Sequence, residues 1–198
     1  MTMRSSPRRG FTLVELLVTI SIFIFMTALI LARYNGFNSG TLLTNLAYDV
    51  ALTIRTAQSY GVSVVASGAK FNTAYGVSFK STITNQSSFK LFADGSASTP
   101  NGYLDSGDDV VSTYNLKQGA KISKLCGGTG STCDPGNSLQ RLDITYKRPD
   151  PNAIIYGATD AGLPTTPYTY AEITVTSGDN SSSRVVKVNE FGLISVGN

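Results

Sequence analysis

The sequence predicts an α+β protein: a long N-terminal helix whose first half spans a membrane and whose second half packs on an antiparallel β-sheet head. Three observations carry this prediction. An uninterrupted apolar run covers residues 11–32, apolar residues recur at intervals of three and four between residues 41 and 60, and beyond Gly61 the period changes to two. At 198 residues, of which 41% are hydrophobic, the chain is long enough for one folded domain with a short appendage.

The apolar run is the strongest feature of the sequence. It has 22 residues without Gly or Pro, and its one charge is Glu15. At 1.5 Å per residue, such a helix is about 33 Å long, enough to cross a hydrocarbon core of about 30 Å. Its few hydroxyl side chains can bond to the helix backbone, so every face is compatible with lipid. A core helix of a soluble protein would instead show a polar face.

Basic residues precede the run. Arg4, Arg8 and Arg9 lie in the first ten residues, all 13 acidic residues follow them, and the remaining basic residues balance those acids. This asymmetry predicts a cytoplasmic N-terminus, with the chain beyond Ala32 outside. A secretory signal would have a shorter apolar run followed by a cleavage site. A plain membrane anchor gives no reason for Glu15, because a charge near the bilayer centre costs at least about 2.5 kcal/mol.

The pattern changes at Arg33. Gly36 and Gly40 each cost about 1 kcal/mol inside a helix, so we expect a bend, a melted stretch or a break between Arg33 and Thr41. Helical periodicity then returns up to Tyr60. Residues 33–60 are therefore predicted to be an amphipathic continuation of the helix, which packs on a sheet through one apolar face made of Leu43, Leu46, Ala47, Val50, Ile54 and Ala57.

The rest of the chain, residues 61–198, is the predicted head domain. Its alternating patterns, separated by turn-rich stretches, favour antiparallel strands. The strand candidates are residues 62–66, 74–79, 88–93, 110–116, 120–125, 139–147, 168–176, 184–189 and 192–196. We expect residues 156–168 to form a long loop.

The segment from Arg9 to Val18 reads RGFTLVELLV and resembles the class III signal of type IV pilins and type II secretion pseudopilins. The resemblance implies a pilin-like fold and a leader, residues 1–10, that prepilin peptidase removes by cutting between Gly10 and Phe11. Phe11 would then be N-methylated, and Glu15 would neutralise the N-terminus of a neighbouring subunit. Pairing these charges offsets part of their desolvation and fixes the axial register. In the unassembled subunit, the alternative is that Glu15 reaches toward the headgroups.

The order of features in the head is similar to that of H-type minor pseudopilins and their pilus counterparts. The similar segments are the helix end at residues 56–61, residues 75–77, residues 89–94, an Asp/Gly/Asn-rich loop and a closing hairpin at residues 190–194. The chain departs from the pattern in lacking a Trp before the mid-domain Gly. The similarity implies a minor structural subunit of a type IV pilus or a secretion pseudopilus, first in the cytoplasmic membrane and then in an extracytoplasmic filament.

The implied partners follow from that role. They are other pilin or pseudopilin subunits, prepilin peptidase, membrane lipid before assembly and, indirectly, the assembly platform and its ATPase. The alternative is a DNA-binding minor pilin for DNA uptake, which would need clustered cations. Lys117, Lys121 and Lys124 recur in one region, as do Lys147 and Arg148, but few aromatic residues lie among them.

Two loops carry candidate sites. Cys126 and Cys133 bracket a Gly-rich stretch, and we expect a disulfide because lone cysteines outside the cytoplasm most often pair. In the loop of residues 94–109, oxygen donors of the type that Ca²⁺ prefers are Asp94, Asn101, Asp105, Asp108 and Asp109. Their spacing fits no EF-hand, and the same residue types favour turns, so an ordinary loop is the leading interpretation and calcium the alternative.

The sequence argues against an enzyme. It contains no His, which excludes Ser-His-Asp, Cys-His and His-ligated metal chemistry. Its scattered carboxylates show no pair whose spacing suggests acid/base catalysis. We expect no cofactor, apart from the calcium alternative.

Overall fold

The computed structural model describes residues 10–63, 65, 67, 71, 73–82, 84, 86–95, 99–134, 136, 138–160, 162–164 and 166–197, with the backbone alone for residues 32–39. Most of the leader, residues 1–9, therefore lies outside the described residues. The chain divides into two compact units, Met1–Asn38 and Ser39–Asn198. The first unit holds the apolar segment, and the second holds the head.

Helix α1 comprises Leu13–Val62 and is 50 residues long. The melted stretch or break expected between Arg33 and Thr41 is not found, because the backbone is helical throughout that interval. Two glycines cost about 1 kcal/mol each in a helix. A break would add the cost of nucleating a second helix, so the continuous helix is the lower-energy solution.

Within the described residues, ten strands follow the helix and form two sheets in which every pair is antiparallel. The six-stranded sheet has the order β3-β2-β1-β5-β6-β7, and the four-stranded sheet has the order β10-β9-β8-β4. The strands are β1 Ala74–Lys80, β2 Ser88–Asp94, β3 Asp109–Asn115, β4 Lys121–Gly128, β5 Arg141–Lys147, β6 Asp150–Ala158, β7 Thr166–Tyr168, β8 Tyr170–Thr176, β9 Ser183–Asn189 and β10 Ile194–Gly197. The α+β class is confirmed.

The core of the head lies where the second half of α1 meets both sheets. All six apolar helix positions predicted to face a sheet are buried. Val50 and Ile54 belong to one buried cluster with Val77 of the larger sheet and with Ile122 and Val186 of the smaller one. The helix is therefore covered on its apolar stripe, as expected of an amphipathic helix that packs on a sheet.

Two further sequence predictions were wrong. Residues 62–66 do not begin a strand, since α1 continues to Val62 and Ser63 lies in a turn. The expected loop at residues 156–168 contains the end of β6 and all of β7. Strand β6 was not predicted because Pro149 and Pro151 lie at its start, and proline is uncommon within strands. It is tolerated here because β7 pairs with β6 only at residues 155–157, which leaves one side of β6 unpaired near Pro151.

Candidate assembly and processing site

Helix α1 begins with a side-chain cap. The backbone N–H of Glu15 donates to Thr12 Oγ1 at 3.2 Å, and the Thr12 hydroxyl lies 3.5 Å from Glu15 Oε2. The first backbone helical bond, from Leu16 N–H to the Thr12 carbonyl, measures 3.1 Å. A Thr followed by Glu three residues later is the capping-box pattern, and an acidic residue in the first turn also complements the helix dipole. Thr12 was not predicted as a capping residue, although the T-x-x-E pattern before an apolar run is the signal for one.

The predicted cleavage point lies immediately before this cap. Gly10 and Phe11 are exposed, neither belongs to a helix or strand, and Phe11 is 73% exposed. A Cβ added at Gly10 would have nothing within 4 Å. The fold of the chain therefore makes no demand for glycine at this position. A requirement for glycine would have to come from an enzyme that recognises the bond, and an exposed, non-helical peptide is the kind of segment that proteases reach.

The apolar segment of α1 satisfies its own hydroxyl groups. Thr19 donates to the Leu16 carbonyl at 2.9 Å, Ser21 donates to the Leu17 carbonyl at 2.8 Å, and Thr27 makes the same kind of bond to the Phe23 carbonyl. Residues Leu13–Leu31 have a mean hydropathy of 2.5 and none of them is buried. By length and composition, this stretch is able to cross a membrane.

Glu15 is the exception within this segment. It is the one charged side chain between Leu13 and Leu31. Within the part of the chain that the structure describes, no cation forms an ion pair with it, and its carboxylate has only the distant Thr12 hydroxyl. A lone carboxylate beside an apolar surface is costly unless a cation pairs with it.

Residues 5–31 match the family described as prokaryotic N-terminal methylation motif. The chain carries a prepilin-type methylation signal. This finding confirms the resemblance drawn from the residues around Gly10 and Phe11, and it supports a precursor of the type IV pilin or pseudopilin kind, hence a structural subunit. The signal implies processing by prepilin peptidase and assembly with other pilin subunits. Neither the curated proteins nor the solved structures include a significant match to the chain, and the H-type resemblance finds no support there.

In the head, Cys126 and Cys133 are joined by a disulfide, with their Cα atoms 5.9 Å apart. The enclosed loop turns tightly, and the Asp134 N–H donates to the Gly127 carbonyl at 3.2 Å. At Gly128, a Cβ would press against the carbonyl group of Thr132. Glycine is therefore required there by close approach of the backbone.

The acidic loop of residues 94–109 is organised by backbone donors. Asp94 accepts the N–H groups of Asn101 at 3.1 Å and Gly102 at 2.7 Å. Asp108 accepts those of Gly95 at 3.0 Å and Asp105 at 2.9 Å. These are the local bonds by which Asp side chains build turns.

The side chains of the remaining three residues of the calcium alternative are also hydrogen-bonded. Asn101 donates to Asp105 at 2.7 Å, and Asp109 accepts the Ser67 hydroxyl at 3.0 Å. Within the described ranges, no three carboxylate or thiol side chains are arranged to hold a metal ion. These hydrogen bonds are those of an ordinary loop, and the calcium alternative stays a prediction.

The basic residues considered for DNA binding are divided between the two sheets. Lys121 and Lys124 lie on β4 of the smaller sheet. Lys147 ends β5 of the larger sheet, and Arg148 follows it, donating to the Ser63 carbonyl at 3.4 Å. These two groups of cations do not share a strand or a sheet.

Proposed function

We propose that the chain is a structural subunit of a type IV pilus or a type II secretion pseudopilus, assembled through α1 after cleavage between Gly10 and Phe11. The observation that carries the proposal is the lone Glu15 at the start of an apolar, exposed helical segment that bears the methylation signal. The N-terminal helix would hold the subunit in the cytoplasmic membrane, with the head outside, until it enters the filament.

The chemistry of assembly follows from the charges. Cleavage would create a cationic amine at Phe11, four residues before Glu15. When apolar helices pack side by side, water leaves the surfaces between them, so an unpaired carboxylate and an unpaired amine both become more costly. Pairing the amine of one subunit with Glu15 of its neighbour offsets part of both penalties. The same pairing sets how far one helix is displaced along the next.

The test compares Glu15→Gln with Glu15→Asp in the native cell. Two quantities are measured for each: the intact mass of the recovered chain, and the amount of the chain in filaments sheared from the cell surface or isolated with the secretion apparatus. We expect both variants to be cut before Phe11 and methylated. Glu15→Gln should be lost from filaments, while Glu15→Asp, which keeps the charge, should retain part of the incorporation. An unprocessed N-terminus in the parent chain, or normal filaments with Glu15→Gln, would contradict the proposal.

A further inference from the structure

The turn between β9 and β10 is a rigid structure that displays two apolar side chains. Phe191 is 70% exposed and Leu193 is 65% exposed. Around them, Gly192 N–H donates to the Asn189 carbonyl at 2.9 Å, and Leu193 N–H donates to Asn189 Oδ1 at 2.9 Å. Gly192 has a φ of 75°, a conformation that favours glycine.

The helix holds this turn in place. Gln58 Nε2 donates to the Gly192 carbonyl at 3.3 Å, and Arg55 donates to the Ile194 carbonyl at 3.3 Å. A side chain at Gly192 would collide with Gln58 and would come within 2.7 Å of the Pro151 carbonyl oxygen. A backbone held in this way loses little further conformational entropy when a partner buries the apolar side chains that it carries, which favours binding.

A groove with apolar walls, which could receive apolar side chains, lies on another side of α1. Its volume is about 340 Å³, and its apolar walls include Leu52, Phe89, Tyr114 and Leu116. Leu52 is 63% exposed, and the Tyr114 ring stacks on Phe89 with centroids 5.2 Å apart. The volume lies at the lower end of the range for ligand-binding clefts. The rings of Phe89 and Tyr114 can pack against an aromatic side chain that enters the groove.

The turn cannot fill the groove of its own chain. Gln58 and Arg55 bind the turn, whereas Leu52 and Thr56 line the groove. On a helix with 100° per residue, these two pairs of residues point in directions about 110° apart. Because the turn is pinned to its own side of α1, its apolar side chains can enter such a groove only on another molecule.

The charges beside the two surfaces give the contact a direction. Glu190 flanks Phe191 on the turn, while the groove carries Lys117 on its strand side and Asp49 on its helix side. Glu190 would be attracted by Lys117 and repelled by Asp49. The charges therefore favour orientations that place Glu190 near Lys117 and away from Asp49, and such charge pairs help to fix the register of an interface.

We infer that the Phe191–Leu193 turn of one copy of this chain docks in the groove between α1 and β3 of a second copy. The contact joins two different surfaces, so it is heterologous and can repeat along an open filament. It rests on the proposed filament role and adds a contact between heads to the assembly made by the helices. A chain that binds its own copies occurs more than once per filament, which favours a repeated subunit over a single-copy minor one.

The test places the photo-reactive residue p-benzoylphenylalanine at position 191 of the full-length processed chain in detergent micelles or vesicles. Irradiation should give dimers in which the cross-link lies in peptides containing residues 46–56 or 114–117. The same label at Phe71, which is also exposed at 61%, is the matched control and should not mark these peptides. No dimer from position 191, or a cross-link outside the groove, overturns the inference.

Charge reversal provides an independent measurement in the labelled chain. Glu190→Lys and Lys117→Glu should each lower the yield of the groove cross-link severalfold, and the double variant should restore it. Failure of the double variant to restore the yield also counts against the contact. A second label, placed at Leu16, reports whether the N-terminal helices associate. If Leu16 gives cross-linked dimers while position 191 gives none, the inferred head contact alone is wrong. If neither position gives dimers, the proposed filament role is wrong as well.

Discussion

Arg141 and Asp143 form an ion pair of 2.7 Å whose side chains are only 7% and 0% exposed. They lie two residues apart on β5, so both side chains project from the same face of the sheet. Asp143 accepts the Leu104 N–H at 3.0 Å, and Arg141 donates to the Leu104 carbonyl. The pair therefore fastens the acidic loop to the outer face of the larger sheet. Burial raises the pKa of Asp143, and the neighbouring guanidinium opposes that rise.

Breaking this pair should destabilise the head strongly. Asp143→Asn leaves Arg141 buried without its anion, and the loss of one partner of a buried pair typically costs about 3–5 kcal/mol. The measurement is guanidinium unfolding of the full chain in detergent, followed by tyrosine circular dichroism. The control is Arg141→Met with Asp143→Leu, which removes both charges and should recover much of the loss. A cost below about 1 kcal/mol for Asp143→Asn would show that the pair is not buried as described.

Asp94 should make the head less stable as the pH rises. Its side chain is fully buried, and burial raises the pKa from 3.8 to about 6 against the opposing bonds from Gly102 and Asn101. Between these values the unfolded chain releases the proton while the folded chain retains it. The contribution of Asp94 to stability is therefore complete below pH 3.8 and is lost as the pH rises through about 6.

The variant Asp94→Asn isolates this contribution. The difference in unfolding free energy between the parent and Asp94→Asn should change by about 1–3 kcal/mol between pH 4 and pH 7, in the direction that disfavours the parent at higher pH. Asp179 offers a contrasting control, because bonds from Ser177 and Ser181 lower its pKa to about 2. Asp179→Asn should leave the pH dependence of the unfolding free energy between pH 4 and pH 7 unchanged. A pH-independent difference for Asp94→Asn would refute the prediction.

Two glycines of α1 should respond oppositely to alanine. At Gly61, a Cβ would press on the Tyr146 carbonyl oxygen and lie 2.8 Å from its carbon, so Gly61→Ala should destabilise the head by about 1–3 kcal/mol. At Gly40, no atom lies within 4 Å of the added Cβ. Gly40→Ala should therefore stabilise the helix by about 1 kcal/mol. Thermal unfolding of both variants gives the signs, and a stabilising effect of Gly61→Ala would contradict the packing of α1 on β5.

The hydroxyl groups of two buried tyrosines should contribute differently to the free energy of unfolding. Tyr146 Oη has no hydrogen-bond partner among the described residues, and burial raises the pKa of this phenol. Tyr146→Phe should therefore be neutral or slightly stabilising, because it removes an unsatisfied polar group. Tyr170 donates to Glu172 at 2.7 Å, so Tyr170→Phe should cost about 1 kcal/mol or more. If Tyr146→Phe proves the more costly of the two, the phenol of Tyr146 has a partner in solution.

Local patterns in the sequence were sufficient for much of the fold. The apolar segment, the amphipathic face from Leu43 to Ala57 and most strands depend on residues that are close in the chain, and all were anticipated. The continuous helix through Gly36 was not predicted, because its continuity depends on free-energy costs summed over the whole of α1. Strand β6 was missed because its proline near the edge is acceptable only where no neighbouring strand needs the missing N–H.

By itself, the sequence determined the processing signal, the lone Glu15, the apolar span and the class of the head, because each is written in consecutive or periodically spaced residues. The tertiary structure alone decided that Asp143 meets Leu104 across 39 positions and that Phe191 stands exposed on a pinned turn. It also decided that Leu52 and Tyr114 border one groove. Burial and juxtaposition arise when distant segments pack, and no short-range pattern in the chain specifies which of its side chains remain exposed.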